Sequence, residues 1–134
     1  MQERENHEPP IMVSVELPDT IYVGQQDIPI VLIVKNATSE MLSIRNPAHW
    51  GNAFPHITQG NKVLETIKIK VNPTVFKNVI QIKGNETLRI KFDYTLDKIF
   101  NSEFYHSGQY SIYFELYPDE KISIKSDMSM FYKQ

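Results

Sequence analysis

Leu88-Arg89-Ile90-Lys91-Phe92-Asp93-Tyr94 decides the fold. Leu88, Ile90, Phe92 and Tyr94 alternate with Arg89, Lys91 and Asp93. Successive side chains of a strand point to opposite faces, so this period of two predicts a strand with one buried and one wet face. The turn Gly84-Asn85-Glu86 precedes it, and Leu96 to Phe100 follows with the spacing of one helical turn. Tyr110 to Leu116 repeats the pattern through Tyr110, Ile112, Phe114 and Leu116. Ile28 to Lys35 places Ile28, Ile30, Leu32 and Val34 on one face and Val31 and Ile33 on the other, which predicts a central strand covered on both sides.

Shorter segments of the same kind fill the rest of the chain. They are Ile11 to Leu17, Met41 to Arg45, His56 to Gln59, Val63 to Val71, Val79 to Lys83, Lys121 to Lys125 and Met128 to Tyr132. Turn clusters divide them: Pro18-Asp19, Asn36 to Ser39, Asn46-Pro47, Gln59 to Lys62, Asn72-Pro73 and Pro118-Asp119. No helical stripe of useful length and no internal repeat interrupts them. The expected fold is all-β, a two-sheet antiparallel immunoglobulin-like sandwich of about eight to ten short strands. One domain over residues 11–134 suits a chain of 134 residues, with residues 1–10 as a flexible N-terminal linker.

Composition narrows the function classes. Charged residues make up 22% and the formal charge is −2, so the broad basic field of nucleic-acid binding is missing. Lys62, Lys68 and Lys70 read as a solvated strand face interrupted by Glu65. With no cysteine, structural disulfides and thiolate zinc sites are excluded. No apolar run reaches the roughly 18 residues of a membrane helix. Residues 1–10 are charged and end in Pro9-Pro10, without the apolar centre of a signal peptide. The expectation drawn from them is an exported chain that has lost its signal or lipid anchor, and is periplasmic, outer-membrane-attached or secreted. The alternative is a ragged native N-terminus on a cytoplasmic chain.

Two local patterns refine the sandwich. Gly108-Gln109-Tyr110-Ser111-Ile112 looks like the Gly-x-Tyr-x-apolar entry to a late strand of immunoglobulin-like domains. There the Tyr forms a tyrosine corner, its hydroxyl bonding backbone a few residues upstream, and Gly108 permits the tight approach. Ile112 stands where antibody domains carry a Cys, so this is not an antibody-type domain. The second pattern is an apolar strand from Leu32 to Asn36, the small turn Ala37-Thr38-Ser39 and the strand Met41 to Arg45. The turn Gly84 to Thr87 and Gly108-Gln109-Tyr110 follow. This order, over roughly residues 28–116, resembles the BsuPI-type intracellular proteinase inhibitor family and its exported bacterial relatives. The resemblance implies inhibition through a rigid loop, with Ala48 to Phe54 or Asn72 to Asn78 as the loop. It names no inhibitory residue. A chagasin-type reading of Asn72-Pro73-Thr74 fails, because Val75 and Phe76 stand where that motif has Gly and an aromatic residue.

The most unusual stretch is Arg45 to His56, which holds the only Trp and two of the four His. His49, Trp50, Asn52, Phe54 and His56 are the candidate binding residues, since loops on rigid scaffolds carry function and an exposed Trp anchors a protein partner or a sugar ring. The competing reading folds Trp50 and Phe54 back over the open end of the sandwich. Trp50, placed in a loop, is not expected to be the buried core Trp. A metal at His49 and His56 needs a third ligand such as His106 or Glu103, which the spacing does not supply. Lys98 to Gly108, with Phe100, Phe104 and Tyr105, is a second candidate surface. Asn36-Ala37-Thr38 and Asn85-Glu86-Thr87 fit the N-glycosylation acceptor.

Catalytic signals are missing. Ser107 beside His106 makes no nucleophile elbow, and five glycines form no phosphate loop. Asp93 and Asp97 make no specific carboxylate pair. No enzyme activity and no cofactor are expected. The leading reading is a non-enzymatic binding or accessory domain of an exported or surface-attached bacterial protein, meeting a protein or glycan partner. The alternatives are a proteinase inhibitor and a purely structural domain.

Overall fold

A computed structural model describes residues 10–100 and 106–134. Residues 1–9 of the expected linker, together with Glu103, Phe104 and Tyr105, lie outside the described residues. Eleven strands are described: β1 (Ile11–Glu16), β2 (Thr20–Ile21), β3 (Val31–Asn36), β4 (Leu42–Arg45), β5 (Ala53–Gln59), β6 (Lys62–Leu64), β7 (Val79–Ile82), β8 (Thr87–Lys91), β9 (Gly108–Leu116), β10 (Ile124–Lys125) and β11 (Ser129–Lys133). A 3-10 turn covers Pro73–Lys77, and one helical turn, α1, covers Leu96–Ile99.

The strands form an all-β sandwich. One sheet has the order β1-β3-β8, the other β2-β11-β9-β5-β6 with β10 also on β9, and β4 pairs with β7. The first strand region is thus split between the two sheets, β1 in one and β2 in the other, as in immunoglobulin-like sandwiches. Ladder pairings are antiparallel except β2 on β11, which is parallel.

Register follows burial. Val34 stands between Val13 and Leu88, and Leu32 between Val15 and Ile90. Val13, Val15, Leu32 and Val34 are buried, and so are Ile57, Tyr110, Ile112, Phe114, Leu116 and Phe131 of the facing sheet. A one-residue slip would turn each set to water, so the alternation fixes the pairing.

A continuous seam joins the two sheets. Asp127 donates its N–H to the Val13 carbonyl at 2.9 Å, and the Ser129 hydroxyl donates to the Val15 carbonyl at 2.6 Å. Further along, Thr20 pairs with Tyr132 and Ile21 with Lys133. Residues 13–21 therefore run beside residues 127–133 in the same direction.

Two of the expected strands are shortened for a reason visible in the sequence, and one expected face is less covered. The strand expected over Ile28 to Lys35 begins only at Val31, because Pro29 has no N–H for a ladder. Ile28 and Ile30 are buried ahead of it, and backbone bonds from Leu96 and Phe92 hold their carbonyls. This strand is central, but Val31 and Ile33 on its second face are only half-buried. The strand expected over Val63 to Val71 ends at Leu64. Its partner edge on β5 continues into Pro55, which cannot give the next ladder bond. The chain then crosses to α1, where Ile67 donates to the Ile99 carbonyl at 2.8 Å and Ile69 and Val71 pack partly on the core.

The expected tyrosine corner is present. The Tyr110 hydroxyl donates to the His106 carbonyl at 2.5 Å, four residues upstream. Gly108 has φ +135°, a conformation that favours glycine, and a Cβ there would meet only the movable amide end of Gln59, at 2.9 Å.

Asn36 closes the other end of the sandwich. It is fully buried, and its amide donates to the carbonyls of Glu40, Ile82 and Lys83. Its Oδ1 accepts from the Thr38 N–H and hydroxyl. The acceptor triplet at Asn36 is thus turn chemistry inside the fold, while Asn85 is exposed at φ 63°.

Candidate functional site

The segment from Asn46 to Ala53 is short of regular backbone and rich in internal bonds. Asn46 Oδ1 accepts from the Ala48 N–H at 3.0 Å. Asn52 is 1% exposed, and its amide donates to the carbonyls of Asn46 and Val75. A Cβ at Gly51 would come within 2.7 Å of Val71. Pro47, Ala48, Trp50, Gly51, Asn52 and Ala53 are all buried, and His49 is half-buried. This segment is packed into the sandwich and does not protrude from it.

Trp50 is a core residue, and this corrects the expectation that a loop Trp stays out of the core. It is 8% exposed and sits among Phe54, Phe92 and Tyr94, with centroids at 6.0, 6.1 and 5.7 Å. Two of these contacts are edge-to-face, the arrangement that ring quadrupoles favour. Phe100, from the second candidate surface, is also buried at 7%.

His49 fastens the segment to its neighbours. Its Nδ1 lies 2.6 Å from the Asp93 carboxylate, and its Nε2 lies 2.6 Å from the Asn78 amide. Both contacts are satisfied when Nδ1 carries the proton toward Asp93 and Nε2 accepts from Asn78. His49 therefore joins the end of the 3-10 turn to the strand-end residue Asp93. It does not meet His56.

Phe54 and His56 belong to a different surface. On β5 the residues Ala53, Pro55 and Ile57 point inward, so Phe54 and His56 point out of the sandwich. β9 lies beside them in register, with His56 opposite Tyr113 and Phe54 opposite Glu115. The His56 and Tyr113 rings stack at 4.8 Å and 12°. Phe54 meets Tyr117 edge-on at 5.8 Å. Lys125 of β10, in register with Glu115, holds its ammonium 5.9 Å from the Tyr113 centroid.

Glu115 is the polar centre of this strip. His56 Nε2 lies 3.3 Å from its Oε1 without the alignment of a hydrogen bond, and that nitrogen is almost wholly covered. Desolvation first, then the charge and hydrogen bond of Glu115, hold the Tyr117 phenol above its ordinary pKa. A groove of about 380 Å³ runs along the strip between β5 and the crossing segment, past Phe54, His56, Glu65, Lys68, Glu115 and Tyr117. A second hollow of about 290 Å³ continues it beyond Phe54 and Tyr117 toward Arg45 and Asp119.

The five candidate binding residues therefore divide. His49 and Asn52 build the scaffold, Trp50 belongs to the core and also borders the groove beside Phe54, and Phe54 and His56 line the groove. Tyr113, Glu115, Tyr117 and Lys125 were not singled out by sequence. Their signal was there in the outward parity of β9, where Tyr113, Glu115 and Tyr117 alternate with the buried Ile112, Phe114 and Leu116.

Among the described residues, no group of three His, Asp or Glu side chains could hold a metal ion, and no helix is long and apolar enough to cross a membrane. No family model matches the chain, and no curated protein matches it. Fold and groove together define the class: an all-β sandwich with an aromatic strip on the outer face of its larger sheet.

Proposed function

We propose that this chain is a non-enzymatic binding or accessory domain that meets its partner through the outer face of the larger sheet. The observation that carries the reading is the half-exposed set Phe54, His56, Tyr113, Glu115 and Tyr117, gathered on β5, on the neighbouring β9 and at the residue that follows β9. Half-exposed aromatic side chains on a rigid sheet lose little conformational freedom on binding, and aromatic residues are enriched at the centres of interfaces. The scaffold behind them is rigid because Trp50 and Asn52 are packed from below. Placement in an exported or surface-attached bacterial protein remains part of the proposal. Fractionation of the native product checks it, and recovery in the cytosol counts against it.

The face itself is tested by stability. Replacing Tyr113 and Tyr117 together with Ser removes two cross-strand pairs, each worth about 0.2–1 kcal/mol. The expected loss is therefore below about 2 kcal/mol in urea unfolding. A loss above about 3 kcal/mol, the range of core truncation, would make the strip a structural cover.

A further inference from the structure

We infer that Met12, Met41, Met128 and Met130 are modification sites for a peroxide oxidant, and that the fold keeps its stability when they react. At Met130 the reaction also alters the outer face of the larger sheet, although the inference stands without the binding role proposed for that face.

The placement of sulfur carries the inference. Methionine is among the residues most often fully buried, and its flexible chain commonly fills gaps in a core. Here the four methionines among the described residues are between 45% and 60% exposed, and none belongs to the buried core. Branched aliphatic side chains and rings fill that core instead. Phe92 meets Phe114 edge-on at 4.9 Å, and Tyr110 stacks on Phe131 at 5.2 Å. The chain has no cysteine, so thioethers are its only sulfur.

Local structure explains each exposure. Met12 takes the outward parity of β1, between the buried Ile11 and Val13. Met130 points outward on β11 beside the buried Phe131, opposite Ser111 of β9. Tyr113 is the next outward residue of β9. Met128 stands just before β11, and Met41 just before β4. A sulfur lone pair at these places meets a dissolved oxidant without any opening of the fold.

The sulfur lone pair attacks one peroxide oxygen, and the O–O bond breaks. Sulfur loses two electrons. The second oxygen leaves as hydroxide and takes the proton of the transferred oxygen, which makes water. The product is a polar, chiral sulfoxide, which methionine sulfoxide reductases return to the thioether. In a core that polarity would break packing, whereas water solvates it at these positions. At Met130 a polar group replaces an apolar one beside Ser111.

Excess hydrogen peroxide, followed by peptide mass spectrometry, tests the inference. Met12, Met41, Met128 and Met130 should each gain one oxygen in the native chain, at rates within about tenfold of one another. The urea midpoint should stay within about 0.3 M, and the Trp50 emission should not move. In the isotope-labelled chain the Ser111 amide should shift on oxidation and return with the reductases. In Met130→Leu it should stay in place. Leu32→Met puts a thioether into the core by a well-tolerated swap, and that sulfur should react at least about tenfold more slowly. Three results overturn the inference: one of the four still a thioether after the others have reacted, a midpoint lowered by more than about 0.3 M, or a core sulfur as fast as the surface ones. An unmoved Ser111 amide removes the effect on the sheet face.

Discussion

The carboxylate of Asp97 accepts the backbone N–H groups of Asp27 and Ile28, at 3.1 and 3.0 Å, joining α1 to the approach of β3. Burial works to raise its pKa. The backbone donors, Ile28 first, outweigh that effect and hold it below the ordinary value. A depressed carboxylate pKa contributes stability above the unfolded value, near pH 4, and that contribution is lost as pH falls through the folded value. Asp97→Asn should therefore be less stable than the parent at neutral pH, with the difference narrowing on acidification below about pH 4. Urea midpoints from pH 7 to pH 3 measure this, and a pH-independent difference would remove the ionic part of the argument.

Trp50 makes a sharper prediction. Truncation to Ala in a buried aromatic cluster should cost about 3–5 kcal/mol. As the only Trp, it also reports on itself: its emission should be blue-shifted in the folded chain and move red on unfolding. A Trp50→Ala chain that unfolds at the parent's urea midpoint would show that the ring is not part of the core.

Tyr110→Phe separates a hydrogen bond from a ring. The ring is fully buried and stacks on Phe131 at 5.2 Å, which Phe preserves, while the bond to the His106 carbonyl is lost. The expected cost is about 1 kcal/mol, read from the urea midpoint at unchanged slope.

Gly84 tests the approach of two turns. Asn85 donates to the Thr38 carbonyl at 2.8 Å, and this draws Gly84 onto the backbone of Ser39, where a Cβ would collide with the carbonyl. Gly84→Ala should cost about 1–3 kcal/mol as the turns part. Gly60→Ala is a poor control because of its φ of 61°, although the space around it is open.

The alternating segments were legible in the sequence because each buries one face. Tyr110 to Leu116 could be read in this way, and Gly108 with Tyr110 disclosed the corner. Leu88 to Tyr94 was right in parity, but its strand ends at Lys91, and Leu88 and Ile90 are only half-buried. Ile67, Ile69 and Val71 also alternate with Lys68 and Lys70, yet they form no strand. Alternation records burial but not whether a partner edge exists, and Pro55 ends that edge. Trp50 escaped for a related reason. Periodicity assigns faces only to regular backbone, and the Trp50 segment is held by Asn46, His49 and Asn52 through bonds that no period encodes. Of the candidate site, Phe54 and His56 were found as members of an unusual stretch. Tyr113, Glu115 and Tyr117 were passed over because outward residues of a strand look alike until the neighbouring strand is known.

The seam between residues 13–21 and 127–133 has a mechanical consequence. The two segments run in the same direction, one near the start of the chain and the other at its end. Tension applied to opposite ends of the chain pulls them past each other lengthwise. The bonds at Val13, Val15, Thr20 and Ile21 then share the load together and do not open one after another. A domain closed in this way transmits a pull through its edge while the aromatic strip on the face of the sheet keeps its shape.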